Sequence, residues 1–534
     1  MVDIRAAARW GDPAAAVVLP EAVRSLLGSA LGVTAPATAA QPAAPVLPGP
    51  VLPEPALAAL GEACAHVRTD DAARLAHAAG KSTVDLLRLR AGDASGAPDA
   101  VACPANHPEV VAVLRACAAH RLAAVPFGGG TSVVGGLRPG RQGYAGVVAV
   151  DLARLDRLLG VDAVSRTATF QAGVRAPRAE ELLAAHGFTL GHFPQSYEYA
   201  TLGGFAATRS SGQASSGYGR FDQLVVGLRA ATPAGTLDLG RAPASAAGPD
   251  LRQLLLGSEG AFGVITELTL QVRPAPAERR YAGWAFSSFE AGVDAVRALA
   301  QDGPLPTVLR LSDEVETAVG AATHTGPDAG GGCLAIAGFE GTAESVAASQ
   351  AAAEAVLLGR GATPLGPGPG QEWVAGRFRA PYLRDALLDA GAIVETLETA
   401  TFWSRLPATR TAVHDALVAS LSAAGTPPLV MCHLSHVYPT GASLYFTVVA
   451  AQRAAEGPRG PQRADPVAQW LAAKTAASDA IAAAGATISH HHGVGRDHLP
   501  WYGAEIGPAG VAALRAVKAA LDPSGVLNPG VLIP

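Results

Sequence analysis

The chain has 534 residues, 49% of them apolar and 16% charged, with a formal net charge of −5. That length exceeds one ordinary core and that composition excludes a largely disordered chain, so two or three globular domains are expected. The charge gives no basic field for a phosphate backbone, so no nucleic-acid partner is expected. Five scattered cysteines, Cys64, Cys103, Cys117, Cys333 and Cys432, lack any paired metal spacing and fit a reducing cytoplasm. No early basic-then-apolar leader is found and no apolar run reaches the ~18 residues of a membrane span. A cytoplasmic protein is the expectation, with peripheral membrane contact left open.

In chain order, the first ninety or so residues read as helices interrupted by the Pro/Ala-rich stretch "APATAAQPAAPVLPGPVLPEP", residues 35–55, a linker or extended arm. From Pro98 the texture becomes strand, helix, strand, glycine loop. Pro108 and Glu109 suit a first helical turn, and Val110, Val111, Leu114 and Cys117 form one apolar stripe. The runs "GVVAVDL" and "TATFQAGV" read as strands, and "PRAEELLAAHG" as a helix closed by Gly187. After Pro276 the glycine loops thin out and mixed helix and strand texture runs to about Gly425. A strand pair follows over "PLVMCHLSHVYPTGASLYFTVVA", then a helix over "VAQWLAAKTAASDAIAAAG", the stretch "TISHHHGVGRDH" and a last helix ending in "LDPSGVLNPGVLIP".

Three segments share one chemistry. "PFGGGTSVVGG" (126–136), "TLGGFAATRSSGQASSGYG" (201–219) and "GSEGAFGVIT" (257–266) each combine glycines with small hydroxyl residues. Glycine permits φ > 0 and close approach, so backbone N–H groups can converge on an anion. The first loop is neither the Rossmann GxGxxG nor a Walker loop, and alone it reads equally as a turn between strands. Three such loops within ~140 residues imply one extended ligand, and a dinucleotide fits.

The order of "PFGGGTSVVGG", "PQSYEYATLGG", "TRSSG", "GSEGAFGVITE", "SHHHGVG" and "LDPSGVLNPG" resembles the vanillyl-alcohol-oxidase type of FAD-binding fold, and within it the alkyldihydroxyacetonephosphate synthases, from "ARWGDP" to the last residue. The resemblance implies an α+β protein: a two-subdomain FAD-binding domain over 96–275, an α/β cap over 276–480, a C-terminal segment over 481–534 that returns to the flavin, and an N-terminal helical region over 1–95. It implies that Pro126, Phe127, Gly128, Gly129, Gly130, Thr131 and Ser132 hold the FAD pyrophosphate. Gln195, Ser196, Thr201, Gly204, Thr208, Ser210, Ser211, Glu259, Gly260, Gly263, Val264 and Ile265 would line the rest of the cofactor. Relatives that attach flavin covalently do so mainly through a histidine in or near the first loop; this loop has none, so non-covalent FAD is expected. The family usually has Asp where this chain has Gln195, which removes a charge near the flavin.

For the histidines, the residues alone leave a metal site, an acid/base cluster and a surface accident open. Read as an extended segment, "SHHHG" puts His490 and His492 on one face and His491 on the other. A zinc site would need a third ligand, such as His433 or His436. Imidazole titrates near neutral pH and donates from either nitrogen, which suits proton transfer and the steadying of a phosphate. The resemblance implies His490, His491 and His492 as catalytic without a metal, and Tyr445 of "SLYFT" as the phenol that assists departure of a carboxylate. It also implies substrate contacts from Arg310, Arg384 and Arg496, the last where the family usually has Lys; guanidinium forks onto two oxygens of a phosphate. Val531 stands where relatives commonly have a basic residue. The implied reaction exchanges the acyl group of acyl-dihydroxyacetone phosphate for a fatty alcohol through a flavin adduct, with no net redox change. The alternative is an FAD-dependent dehydrogenase or oxidase of a 2-hydroxy acid or alcohol. A lipid-like, phosphorylated small molecule is the expected partner, and a homodimer the expected assembly.

Overall fold

The computed structural model describes residues 7–33, 46–138, 140–323, 332–453 and 465–534, and the backbone alone of 455–457 and 460–462. The linker expected over 35–55 lies outside the described residues as far as Pro45; from Val46 the chain runs without helix to Glu54.

Strands Val67–Arg68, Ala100–Ala102, Gly146–Asp151 and Leu122–Phe127 form the first sheet in that order, parallel across the last three. "GVVAVD" is buried on both faces, as a central parallel strand demands, so its apolar run is continuous. Helix His107–Ala119, capped by Asn106, lays Val110, Val113, Leu114 and Cys117 on this sheet. Helix Glu54–Ala63 adds Ala56 and Leu60 to the same core. Residues 54–68, N-terminal to the boundary expected at residue 96, thus pack with this sheet through helix Glu54–Ala63 and strand Val67–Arg68.

A second sheet, antiparallel throughout, orders Leu158–Asp162, Thr167–Gln171, Val264–Gln271, Val225–Thr232 and Gly235–Leu239. The cap is a third sheet, ordered Thr363–Gly366, Glu278–Phe286, Cys333–Gly341, Val308–Ser312, Leu429–Leu434, Gly441–Ala451 and Ala392–Phe402. All its pairs are antiparallel and its helices cover one face, in keeping with the α+β fold expected. Helices Phe289–Asp302, Ala343–Gly359, Leu406–Ala423 and Pro466–Ala483 bury Val296, Leu299, Leu357, Leu417 and Trp470 against one face.

The register places the chemistry on the opposite face. Glu398 pairs with Tyr445, Tyr445 with His433 and His433 with Ser312, one row across four strands. Residues paired across antiparallel strands point to the same side, so this row faces the first two sheets. The C-terminus ties the units together. Leu527 bridges to Ala124 of the first sheet, and Val531 and Leu532 enter the core of the second. Val531 is 1% exposed and serves as core.

Candidate active site

A cavity of about 530 Å³ lies between the cap and the two smaller sheets. One wall is mostly backbone. Every residue expected at the cofactor lines it: the loop 126–132, Gln195, Ser196, Thr201, Gly204, Thr208, Ser210, Ser211, Glu259, Gly260, Gly263, Val264 and Ile265. The sequence needs glycine here for room. A Cβ on Gly129 would stand 2.0 Å from the carbonyl oxygen of Tyr199, and Gly130 holds φ +69° with Phe127 against it. Ser132 Oγ and Gln195 Nε2 are buried without a protein partner, as expected of groups that meet a ligand. The loops are stitched together from behind. Glu259 accepts from the N–H groups of Val494 (2.9 Å) and Gly495 (2.8 Å), and Asn528 donates to the carbonyls of Gly136 and Glu259. Burial pushes the Glu259 carboxyl up to about 7 against the pull of the Gly495 and Val494 N–H groups. A groove of backbone donors and unfilled glycine positions fits a dinucleotide.

The facing wall is built of side chains on the cap. Glu398, buried at 2% exposure, is its organiser and was not singled out in the sequence. Its Oε1 accepts from Ser489 Oγ (2.9 Å), His491 N (3.0 Å) and His492 N (2.9 Å), and its Oε2 from His490 N (2.8 Å). Three successive N–H groups can converge on one carboxylate only if the chain curls. The alternation expected of an extended strand is therefore corrected: "SHHHG" is a bend wrapped around an anion. The three rings follow one another at centroid distances of 5.1 Å (His490–His491) and 4.7 Å (His491–His492). His491 and His492 line the cavity, whereas His490 stands behind them. Burial pushes all three imidazoles down to about 4 although Glu398 pulls them up. Burial acts to raise the Glu398 carboxyl, but the hydrogen bonds from the histidine bend, the His491 N–H among them, prevail and hold it well below the usual range. The wall thus presents neutral imidazoles around one ionised carboxylate.

Tyr445 also lines the cavity, stacked on His433 at 4.8 Å and edge-on to His492 at 5.7 Å. Burial pushes its phenol up to about 12, so it is a proton donor at neutral pH. His436 joins the cluster from the cap: its ring stacks on His490 at 5.1 Å and its Nδ1 meets Ser211 Oγ of the cofactor wall at 3.1 Å. Ligand atoms of His436, His490 and His491 lie within 4.8 Å of one another, a triangle that a metal could occupy. The partner brought to the triplet is thus His436, while His433 is held by Arg310 and Glu316.

The three arginines separate. Arg384 lines the cavity with Nε and Nη2 buried and without a protein partner, its Nη1 fixed by the carbonyl of Lys81 (2.8 Å). Arg310 lines it too, but one nitrogen, Nη2, is shared between Glu316 (2.8 Å) and His433 Nδ1 (2.9 Å). Arg496 is corrected: it is exposed, lines no part of the cavity and donates to the carbonyl of Arg138 at 2.6 Å. Gly495, at φ +54°, turns the chain just before it and sends the side chain outward.

Comparison with known proteins agrees with this geometry. A family model described as an FAD binding domain matches residues 98–239, and one described as the C-terminal domain of FAD linked oxidases matches 275–532. The alkyldihydroxyacetonephosphate synthase of Trypanosoma brucei brucei is 33% identical over 514 residues, 91% of this chain and 82% of that protein. A solved alkyldihydroxyacetonephosphate synthase superposes with a TM-score of 0.80 at 29% identity, over 95% of this chain and 92% of that one. The structure of p-cresol methylhydroxylase shares the fold, with a TM-score of 0.65 at 15% identity over 89% of this chain and 95% of that one. The cradle is thus an FAD site on an FAD-binding fold of this type, and the chain belongs to the alkyldihydroxyacetonephosphate synthase family of FAD-dependent enzymes.

Proposed function

We propose that this chain exchanges the acyl group of acyl-dihydroxyacetone phosphate for a fatty alcohol, without net redox change. The observation that carries this reading is the apolar part of the cavity's lining. Besides Arg310, Arg384 and Tyr445 it is lined by Val23, Leu27, Leu31, Leu383, Leu387 and Met431, one apolar cluster to which helix Glu21–Leu31 contributes. A long alkyl chain would bury there at about 0.8 kcal/mol per CH₂. A 2-hydroxy acid has no use for such a lining.

The roles follow from position. The free Nε and Nη2 of Arg384 take the phosphate, with Arg310 beside them. His491, neutral and facing the cavity, takes a proton from the carbon next to the substrate carbonyl. Tyr445, protonated, donates a hydrogen bond to the departing carboxylate and later leaves room for the alcohol against the same lining. FAD, held without a covalent bond because the loop carries no histidine, supplies the ring chemistry that makes the carbon exchangeable. We infer further that the protein is cytoplasmic, works as a homodimer and meets its lipid substrate by peripheral membrane contact. Among the described residues no helix is long and apolar enough to cross a membrane.

The test is to give the yellow protein acyl-dihydroxyacetone phosphate and a long-chain alcohol without oxygen. Release of fatty acid and formation of the alkyl product, with the flavin oxidised at the end, is expected. Bleaching by 2-hydroxy acids with no acyl exchange would overturn the reading in favour of a dehydrogenase or oxidase.

A further inference from the structure

We propose that His491, His490 and Tyr438 form a proton relay that joins the cavity to the protein surface. The inference rests on the exchange reading above, which requires a proton to leave a substrate carbon and return to it. Each link is a short contact: His491 Nδ1 to His490 Nδ1 at 2.9 Å, then His490 Nε2 to the Tyr438 hydroxyl at 2.6 Å. The inner end lines the cavity. The outer end is half-buried, beside Arg220 and next to the exposed Pro439 and Thr440.

Imidazole chemistry gives this row a direction. Two Nδ1 atoms in hydrogen-bond contact cannot both carry hydrogen or both lack it. If His491 donates from Nδ1, His490 accepts on Nδ1, carries its hydrogen on Nε2 and donates to Tyr438, whose own hydrogen points outward. His491 Nε2 is then an unprotonated base toward the cavity. If every hydrogen shifts one place inward, Tyr438 donates to His490, His490 donates to His491, and His491 Nε2 carries a proton to give. The two arrangements are a base and an acid made of the same three neutral groups. When the substrate carbon loses its proton to His491 Nε2, the Nδ1 hydrogen passes to His490, the Nε2 hydrogen of His490 passes to Tyr438, and the phenol hydrogen passes to water. One proton enters and one leaves, the electron pair of the broken C–H bond stays on the substrate, and the return step resets every tautomer.

The surroundings hold the relay in line. Glu398 fixes the backbone of all three histidines, and its contact with His491 Nδ1 is the longer one at 3.5 Å, so His490 is the nearer acceptor. His436 stacks on His490 with its own Nδ1 engaged by Ser211, and Arg220, paired with Asp222 at 3.0 Å, donates to the His490 carbonyl at 3.2 Å. His492 approaches Glu398 at 3.8 Å and stands off the line.

The test is Tyr438→Phe, which keeps the ring and removes the link. With acyl-dihydroxyacetone phosphate and a long-chain alcohol, kcat should fall about tenfold or more at unchanged KM, with the flavin spectrum intact. Free imidazole should restore part of the loss, which it would not do for a contact that only holds the fold. Wild-type kcat in this variant, or a loss that imidazole leaves untouched, overturns the relay while activity in the unmutated protein upholds the exchange. A second measurement needs no turnover: nitrogen-15 resonances of the unmutated yellow protein should show His490 and His491 as opposite tautomers. Two Nε2–H tautomers would break the chain at its 2.9 Å link and overturn the proposal whatever the variant does.

Discussion

One wall of the cavity is made of backbone and the other of side chains, and the two would fail in different ways. The cradle over 126–132 and its partner loops presents N–H groups whose positions depend on missing Cβ atoms. The cap wall presents imidazoles and a phenol whose positions depend on a row of the third sheet and on the single carboxylate of Glu398. Damage to the first removes the cofactor, because the loop can yield only by displacing main chain. Damage to the second leaves a folded yellow protein and removes chemistry. The same division separates binding from reaction in the exchange proposed for this chain.

The largest effect is expected where backbone meets backbone. Gly129→Ala would put a carbon 2.0 Å from the Tyr199 carbonyl oxygen, and the nearest atoms are main chain, with no flexible end to yield. The loop must shift, and losing two charge-assisted bonds to the diphosphate, at about 1.5–3 kcal/mol each, weakens FAD on the order of a thousandfold. Flavin titration of the apoprotein checks this. Wild-type affinity would show that the cradle is less rigid than the comparison requires.

An intermediate effect is expected at Glu398→Gln. The amide keeps the shape but offers one acceptor oxygen where four donors converge, so at least one buried N–H of the histidine bend loses its partner, at about 1–3 kcal/mol. Turnover should fall on the order of a hundredfold as the rings leave their line, with the flavin spectrum unchanged. Glu398→Asp, which keeps the charge, should recover part of it. Loss of FAD in the Gln variant would show that the two walls are not separable.

The two walls were also unequally legible in the sequence. Glycine's freedom is a local property, so three glycine and hydroxyl loops point to a dinucleotide without any knowledge of contacts, and every residue that the family resemblance implies for the cofactor lines the cavity. Glu398 gave only a faint signal, one of two carboxylates in the mixed polar and apolar strand "AIVETLETATF". Its meaning depends on a bend 92 positions away in sequence, which no local pattern encodes. The same ignorance produced the mistaken alternation of the histidines, since an extended segment and a curl around an anion look alike when the anion comes from elsewhere. Arg496 shows the converse error. The resemblance implies a substrate contact for this cation, which stands where the family usually has Lys, but the turn at Gly495 sends it to the carbonyl of Arg138.

The smallest expected effect lies in the pH profile and asks how dry the cap wall is. An imidazole in water titrates near 6.5, so at pH 5.5 roughly nine tenths of such a base would be protonated and turnover would drop about tenfold. Burial pushes His491 down to about 4 against the upward pull of Glu398, so the unprotonated ring should persist well below the ordinary range. The sign is set by the buried neutral form: protonation stops turnover, and the depressed value moves that loss to lower pH. Accordingly kcat/KM should stay nearly flat from pH 7.5 to 5.5 and begin to fall only below about 5, recorded while the flavin spectrum confirms that FAD remains bound. A fall centred near 6.5 would mean that water reaches the histidine bend, and the side-chain wall would then be as solvated as an open surface.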